Sequence, residues 1–288
     1  MSISIGAEHV RRLVGREKAT MKQMSSIYVF ALLCVLPAFP QAGDSSARLQ
    51  RSVAEIIANF QKPHWDERAA ALEDLLKMPG VLRQPAVRAA LVSLQEKENA
   101  YLNVSDPVTV GDIPHGESYA DPYETDLMGA LRICAERFNE PGAVAALAAA
   151  PYNPDSTFAG WIADQKEAIP RLLQMVQHGS SVDSGNAARV LATAIDRDRH
   201  AGTKGFRGYQ VMDESTRKQA LALIRMSLAD IHPYKRDQII SSLELVGDQS
   251  DVERLKAIAQ TDPSVNKGRF LQREHASRAA AQLQSRLR

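Results

Sequence analysis

From about residue 47 to the C-terminus, apolar side chains recur three and four positions apart, the spacing of one face of a helix. Val53, Ile56, Ile57 and Phe60 form the first stripe. Ala69, Leu72, Leu75 and Leu76 form the second, after a break at Lys62-Pro63. Pro85 opens a third, carrying Val87, Leu91 and Leu94, in the manner of a first-turn proline. Later stripes are Leu127, Leu131, Cys134 and Phe138; Ile169, Leu172, Leu173 and Val176; Val190, Leu191, Ala194 and Ile195; and Leu221, Ile224 and Leu228. The C-terminal third adds Ile239, Leu243 and Val246, then Val252, Leu255, Ile258 and Ala259, and last Ala276, Ala279, Ala280, Leu283 and Leu287. Gly179 and Gly247 each follow a stripe, where a left-handed residue is expected to close the helix. Ser250 and Glu253 have capping-box spacing ahead of the Val252 stripe. No segment sustains a period of two, and Val108-Thr109-Val110 is the only stretch resembling a strand. Short helices separated by short breaks predict an all-α chain, an α-α superhelix of stacked helix pairs.

The last sixty or so residues carry a family resemblance. Asp230-Ile231-His232-Pro233-Tyr234-Lys235-Arg236 leads into Ile239, Ile240 and Leu243, then Gly247-Asp248, then Val252 and Leu255. This resembles a HEAT repeat, with a turn aspartate, a basic residue opening one helix, a Gly-Asp turn and the first helix of the next unit. Asp262-Pro263 followed by Arg273, Ala276, Ala280 and Leu283 repeats the second half, with an insertion at Ser264 to Phe270. Arg68 with Ala71 and Leu75, Ala168 to Leu173, and Arg189 to Leu191 are looser echoes. One amphipathic pair cannot bury its apolar face alone, so each is expected to stack on its neighbour. The alanine-rich stretch Ala143 to Ala150 suits close helix approach, with Phe158 and Trp161 expected to cover a packing gap nearby.

Two irregular segments interrupt the array: 103–125, rich in Gly, Pro and acidic residues, and 200–211, rich in Gly and basic residues. Long loops in a packed domain are uncommon and are either functional or disordered. The first holds Asp106, Asp112, His115, Glu117, Asp121, Glu124 and Asp126. Carboxylates beside an imidazole are metal-ligand types, but neither a D-x-D-x-D-G loop nor paired-histidine spacing is present, so a solvated acidic loop is expected. The stretch from Arg197 to Arg207, with Gly202, Gly205 and Gly208, lacks the order of a phosphate-binding loop and reads as a flexible connection. Arg269, Arg273, Arg278, Arg286 and Arg288 make the last helix basic, as the polar face of a capping repeat or a surface for an acidic partner or anionic headgroups.

Composition changes the picture at three points. Hydrophobic residues at 44% and charged residues at 24% are ordinary globular values, and only 6% are aromatic, which favours closely packed helices over a β-sandwich. A formal net charge of +1 gives no excess of cations for neutralising phosphates, so no nucleic-acid binding is expected. Ile27 to Phe39 is an apolar run interrupted only by Pro37, too short for a bilayer span yet suited to a signal-peptide core. Ala38, Ala42 and Gly43 follow as small residues, and Lys22 supplies the positive charge if translation begins at Met21 or Met24. Residues 1–42 are therefore expected to be a signal peptide with an upstream extension, and 43–288 the helical domain. Arg11-Arg12 lies too far from the apolar run for a twin-arginine signal, and Leu33 ahead of Cys34 does not fit a lipoprotein anchor. An uncleaved signal anchor is the alternative. Cleavage leaves Cys134 alone, on an apolar helix face, so burial and no disulfide are expected.

No G-x-S-x-G elbow or other nucleophile motif is present, and His64, His178, His232 and His275 fall at helix ends or on polar faces. The resemblance implies a scaffold or adaptor, expected to be monomeric, that binds a protein or peptide partner without cofactor or catalysis, and the apolar run implies that it is exported, periplasmic or secreted. Asp112, His115, Glu117, Lys204, Arg207, Arg269 and Arg273 are the candidate contacts. A metal-dependent accessory or enzyme using the 103–125 loop is one alternative. A HEAT-like nucleic-acid binder, were the chain not exported, is the other.

Overall fold

In the computed structural model the chain divides into a unit of residues 1–51 and a unit of residues 52–288. The residues the structure describes are 53–104, 122–150, 152–201, 210–230, 232–265 and 268–288, all in the second unit. The expected signal segment, the strand-like Val108 to Val110, and most of both irregular segments lie outside them. Among the described residues there is no β-strand, and no helix is long and apolar enough to cross a membrane.

The helices are α1 (53–59), α2 (Trp65–Leu76), α3 (Pro85–Val104), α4 (Pro122–Phe138), α5 (Ala143–Ala148), α6 (Thr157–Ala163), α7 (Ile169–His178), α8 (Ser181–His200), α9 (Glu214–Met226), α10 (Pro233–Val246), α11 (Gln249–Thr261) and α12 (Leu271–Arg286). Proline opens α3 and α10 where its missing N–H costs nothing. Ser156, Ser180 and Asp213 cap α6, α8 and α9 by accepting from the N–H of Ala159, Asp183 and Thr216. Both irregular segments are narrower than expected, because α3 runs to Val104, α4 starts at Pro122 and α8 reaches His200. Polar final turns resemble loops when only the sequence is read. Arg197 thus belongs to a helix, where it reaches Asp164 at 2.5 Å.

Two helix-end expectations are corrected. The box before α11 is made by Asp248 and Asp251: the N–H of Ser250 donates to Asp248 (2.8 Å) and the N–H of Asp248 donates to Asp251 (3.0 Å). Ser250 and Glu253 lie inside the helix, and Glu253 pairs with Lys256. Gly179 and Gly247 are extended rather than left-handed, with φ of −73° and −63°. Glycine is favoured there by crowding. A Cβ would lie 2.6 Å from the carbonyl oxygen of Met175 at Gly179, and 2.5 Å from that of Leu243 at Gly247.

The stripes face inward and join in one core. Leu72, Leu91, Leu131, Cys134, Leu172, Leu191, Ile195, Ile239, Leu243, Val252, Leu255 and Leu283 are all buried. Each large aliphatic side chain so placed contributes about 1.5–3 kcal/mol. Leu287, expected in the last stripe, lies past the end of α12 and is exposed. Helices pack on their neighbours in pairs, α7 with α8, α9 with α10 and α11 with α12, while α8, α10 and α12 pack side by side. This is the arrangement of an all-α superhelix. On α5, Ala143, Ala146, Leu147 and Ala148 are buried. Tyr152 donates to the Ala148 carbonyl and meets Phe158 edge-on, and Phe158 stacks on Trp161.

One device recurs at the starts of helices. Arg68, Arg88 and Arg236 each stand at the fourth residue of a helix and donate to a carbonyl six residues back, those of Lys62, Leu82 and Asp230. Each also reaches a distant carboxylate: Glu98 (2.6 Å), Glu140 (2.5 Å) and Asp262 respectively. Arg273 repeats the first half by donating to the Asp262 carbonyl at 2.6 Å, displaced in sequence by the inserted turn. The guanidinium fork suits this double duty because its donors point in several directions from one rigid plane. Asp262 is buried, which by itself raises its pKa, yet the Ser264 N–H and the Arg236 guanidinium hold it below the ordinary carboxylate value.

Candidate functional site

The face formed by α8, α10 and α12 brings acidic, basic, hydroxyl and imidazole side chains together. On α10, Ile239, Ile240, Leu243 and Val246 take the core side. The helical period therefore places Tyr234, Asp237, Ser241 and Glu244 together on another side. On α12, Ala276, Ala279, Ala280 and Leu283 are buried, which leaves His275, Arg278, Gln282 and Arg286 along the complementary edge. Asn186 and Arg189 of α8 complete the face. Gly185 lets α8 approach α10 closely, since a Cβ there would meet Gln238 and Lys235 at 3.3 Å.

Polar contacts cross the face in order. Tyr234 donates to Asn186 Oδ1 at 2.5 Å. Its hydroxyl is pushed up to about 12, by burial first and then by the negative charge of Asp155 and Asp237. Arg189 bonds Asp155 at 3.0 Å and donates to the Ser241 carbonyl at 3.1 Å. His275 Nδ1 lies 2.5 Å from Asp237 Oδ1, and its Nε2 lies 3.4 Å from Ser241 Oγ. With its amide turned to donate, Gln282 reaches Glu244 at 3.2 Å. Arg286 donates to the Gly247 carbonyl at 3.3 Å.

Two grooves lie along this face. The first, about 790 Å³, is lined by Asp237, Arg269, Arg273, Glu274, His275 and Arg278 among others. The second, about 360 Å³, is lined by Arg189, Ser241, Glu244, Leu245, Gln282 and Arg286. Arg269 and Arg273, candidate contacts from the sequence, therefore share one groove. Arg269 is paired with Glu274, and Arg273 sits 4.0 Å over the Phe270 ring while bracing Asp262. The other candidates, Asp112, His115, Glu117, Lys204 and Arg207, lie outside the described residues. Among the described residues no group of three or more potential ligands is placed to hold a metal ion.

Sequence reading missed Asn186, Arg189, Asp237, Ser241, Glu244 and Gln282. The available signal was their spacing on α10, where positions 234, 237, 241 and 244 follow the helical period opposite the apolar stripe. Cys134 is buried as expected, and burial pushes its thiol up to about 11.

No family model, curated protein or solved structure matches this chain. The fold and the face define an all-α protein of stacked helix pairs with a polar, grooved surface on one row of helices.

Proposed function

We propose that this chain is an exported, HEAT-like scaffold that binds an extended segment of a partner protein along α8, α10 and α12. The observation that carries the reading is the pair of successive grooves beside α10 and α12, bordered by charged side chains above a closed apolar core. An extended segment makes contact through many modest polar and apolar sites, and stacked helix pairs offer such a surface over a long distance. The recurring arginine brace supports the HEAT-like reading, because it takes the same fourth position in α2, α3 and α10. The apolar run from Ile27 to Phe39 supports export.

A photo-crosslinking residue in place of Arg278, inside the first groove, should trap a discrete partner in cells. The same residue in place of Glu253, exposed on α11, should not. Identical adducts from both positions, or none from either, would count against the reading. N-terminal sequencing of chain recovered outside the cytoplasm should find a start following Ala38 or Ala42, and an intact Met1 would remove export from it.

A further inference from the structure

We propose that Ser241, His275 and Asp237 form a nucleophilic serine centre that cleaves carboxylic esters bearing a nearby negative charge. The adjacent serines of α10 behave differently. Ser242, buried, spends its hydroxyl on the Gln238 carbonyl at 2.7 Å, as helical serines commonly do. Ser241 turns its hydroxyl to His275 Nε2 at 3.4 Å. Asp237 and Ser241 are one helical turn apart, so both face α12, and a single imidazole bridges them. The Asp237 carboxylate, 2.5 Å from Nδ1, holds the ring proton there. Nε2 is thereby turned to Ser241, in the place a general base must take. The ring is largely enclosed, with its side chain 16% exposed, which limits its rotation. The hydroxyl distance is long for a hydrogen bond, and such contacts tighten when substrate is bound.

The chemistry closes without a cofactor. Ser241 Oγ attacks the ester carbonyl carbon while its proton passes to His275 Nε2. The tetrahedral species collapses, the C–O bond to the alcohol breaks, and the leaving oxygen takes the proton from Nε2. Water then attacks the acyl-serine, giving its proton to Nε2, and collapse returns that proton to Ser241 and releases the acid. Inside α10 the backbone N–H groups are used by the helix itself, so the oxyanion must meet a side-chain cation. Arg189, which already donates to the Ser241 carbonyl, is the one beside the nucleophile.

The position of the centre sets the substrate class. Asp237 and His275 line the first groove, and Ser241 lines the second. Arg278 flanks one side and Arg286 the other, so a substrate spanning both is held by its negative charge. This inference stands apart from partner binding, because a reactive serine requires no protein on the face.

Diisopropyl fluorophosphate is the direct probe. Ser241 Oγ displaces fluoride from phosphorus, and the proton accepted by His275 leaves with it as hydrogen fluoride. Intact mass and peptide mapping of the full chain should show one adduct, at Ser241. His275→Gln should slow labelling about 100-fold, the size of a lost general base, while Ser242→Ala should label as the parent does. Asp237 acts as a positioning residue. Its exchange for Asn should slow labelling and shift the ring proton away from Nδ1 in ¹⁵N spectra of the His275 side chain. Faster hydrolysis of 4-nitrophenyl hemisuccinate than of 4-nitrophenyl acetate, with the difference reduced in Arg278→Ala, would support the substrate class. Equal rates for the two esters would overturn that class. Absence of an adduct at Ser241 while a control serine protease is fully labelled would overturn the centre. So would parental labelling of a folded His275→Gln chain, and either result would make the three residues an interhelical clip.

Discussion

Replacing Arg68 by methionine tests whether the recurring arginine brace holds the first helices in place. Arg68 is 3% exposed and makes a two-pronged pair with Glu98 on α3, at 2.6 and 3.0 Å. It also donates to the carbonyls of Lys62 and Pro63 at 2.9 and 2.7 Å. Methionine replaces the aliphatic stem, so the loss is mainly electrostatic. Glu98 keeps only 11% side-chain exposure and would lose both of its bonds from Arg68. Removing one member of a buried pair costs about 3–5 kcal/mol. For a unit of this size that lowers the melting temperature on the order of 10 °C. Urea unfolding followed by circular dichroism measures it directly. Arg68→Met combined with Glu98→Leu should recover most of the loss, because the buried carboxylate that faced Arg68 is then gone. A double variant as unstable as the single one would refute the reasoning. So would a single variant that loses less than about 1 kcal/mol, the range of exposed pairs.

Other outcomes follow from the same geometry. Gly247→Ala should destabilise by about 1–3 kcal/mol, because its Cβ would meet the Leu243 carbonyl at 2.5 Å and Leu283 at 2.9 Å; an alanine chain with the parental urea midpoint would overturn this. Cys134 should resist Ellman's reagent at pH 8 in the folded chain and react once urea opens it, since burial both hides the thiol and keeps it protonated. Immediate reaction in the native state would contradict the packing. Asp248 adds a dependence on acid. Partial burial opposes its ionisation, but bonds from Ser250 and Arg225 outweigh that and lower its pKa from 3.8 to about 2. A depressed carboxylate stabilises the folded state above its unfolded value and loses that contribution as pH falls from about 4 through about 2. Asp248→Asn should therefore flatten the stability profile in that window, and a profile parallel to the parent's would show that Asp248 contributes nothing there.

Apolar periodicity alone shows where most helices lie and which face of each is buried. Leu72, Leu91, Leu172, Leu191 and Leu243 were all legible, because helix period and apolar spacing are local properties. A helix start that depends on one residue, such as Pro85, was legible for the same reason. Those that depend on a partner were not: the box before α11 belongs to Asp248 and Asp251, and Gly247 ends its helix in an extended conformation under a crowded carbonyl. The candidate face is further removed from local rules. Asp237 and His275 are 38 residues apart, and Arg189 and Ser241 are 52 apart by the contact that joins them. Such pairs meet only after α8, α10 and α12 have settled into register, which is set by burying their apolar stripes and by the close approach at Gly185. Periodicity places a side chain on a face, but the facing residue is chosen by how neighbouring helices slide together. That choice belongs to the tertiary structure.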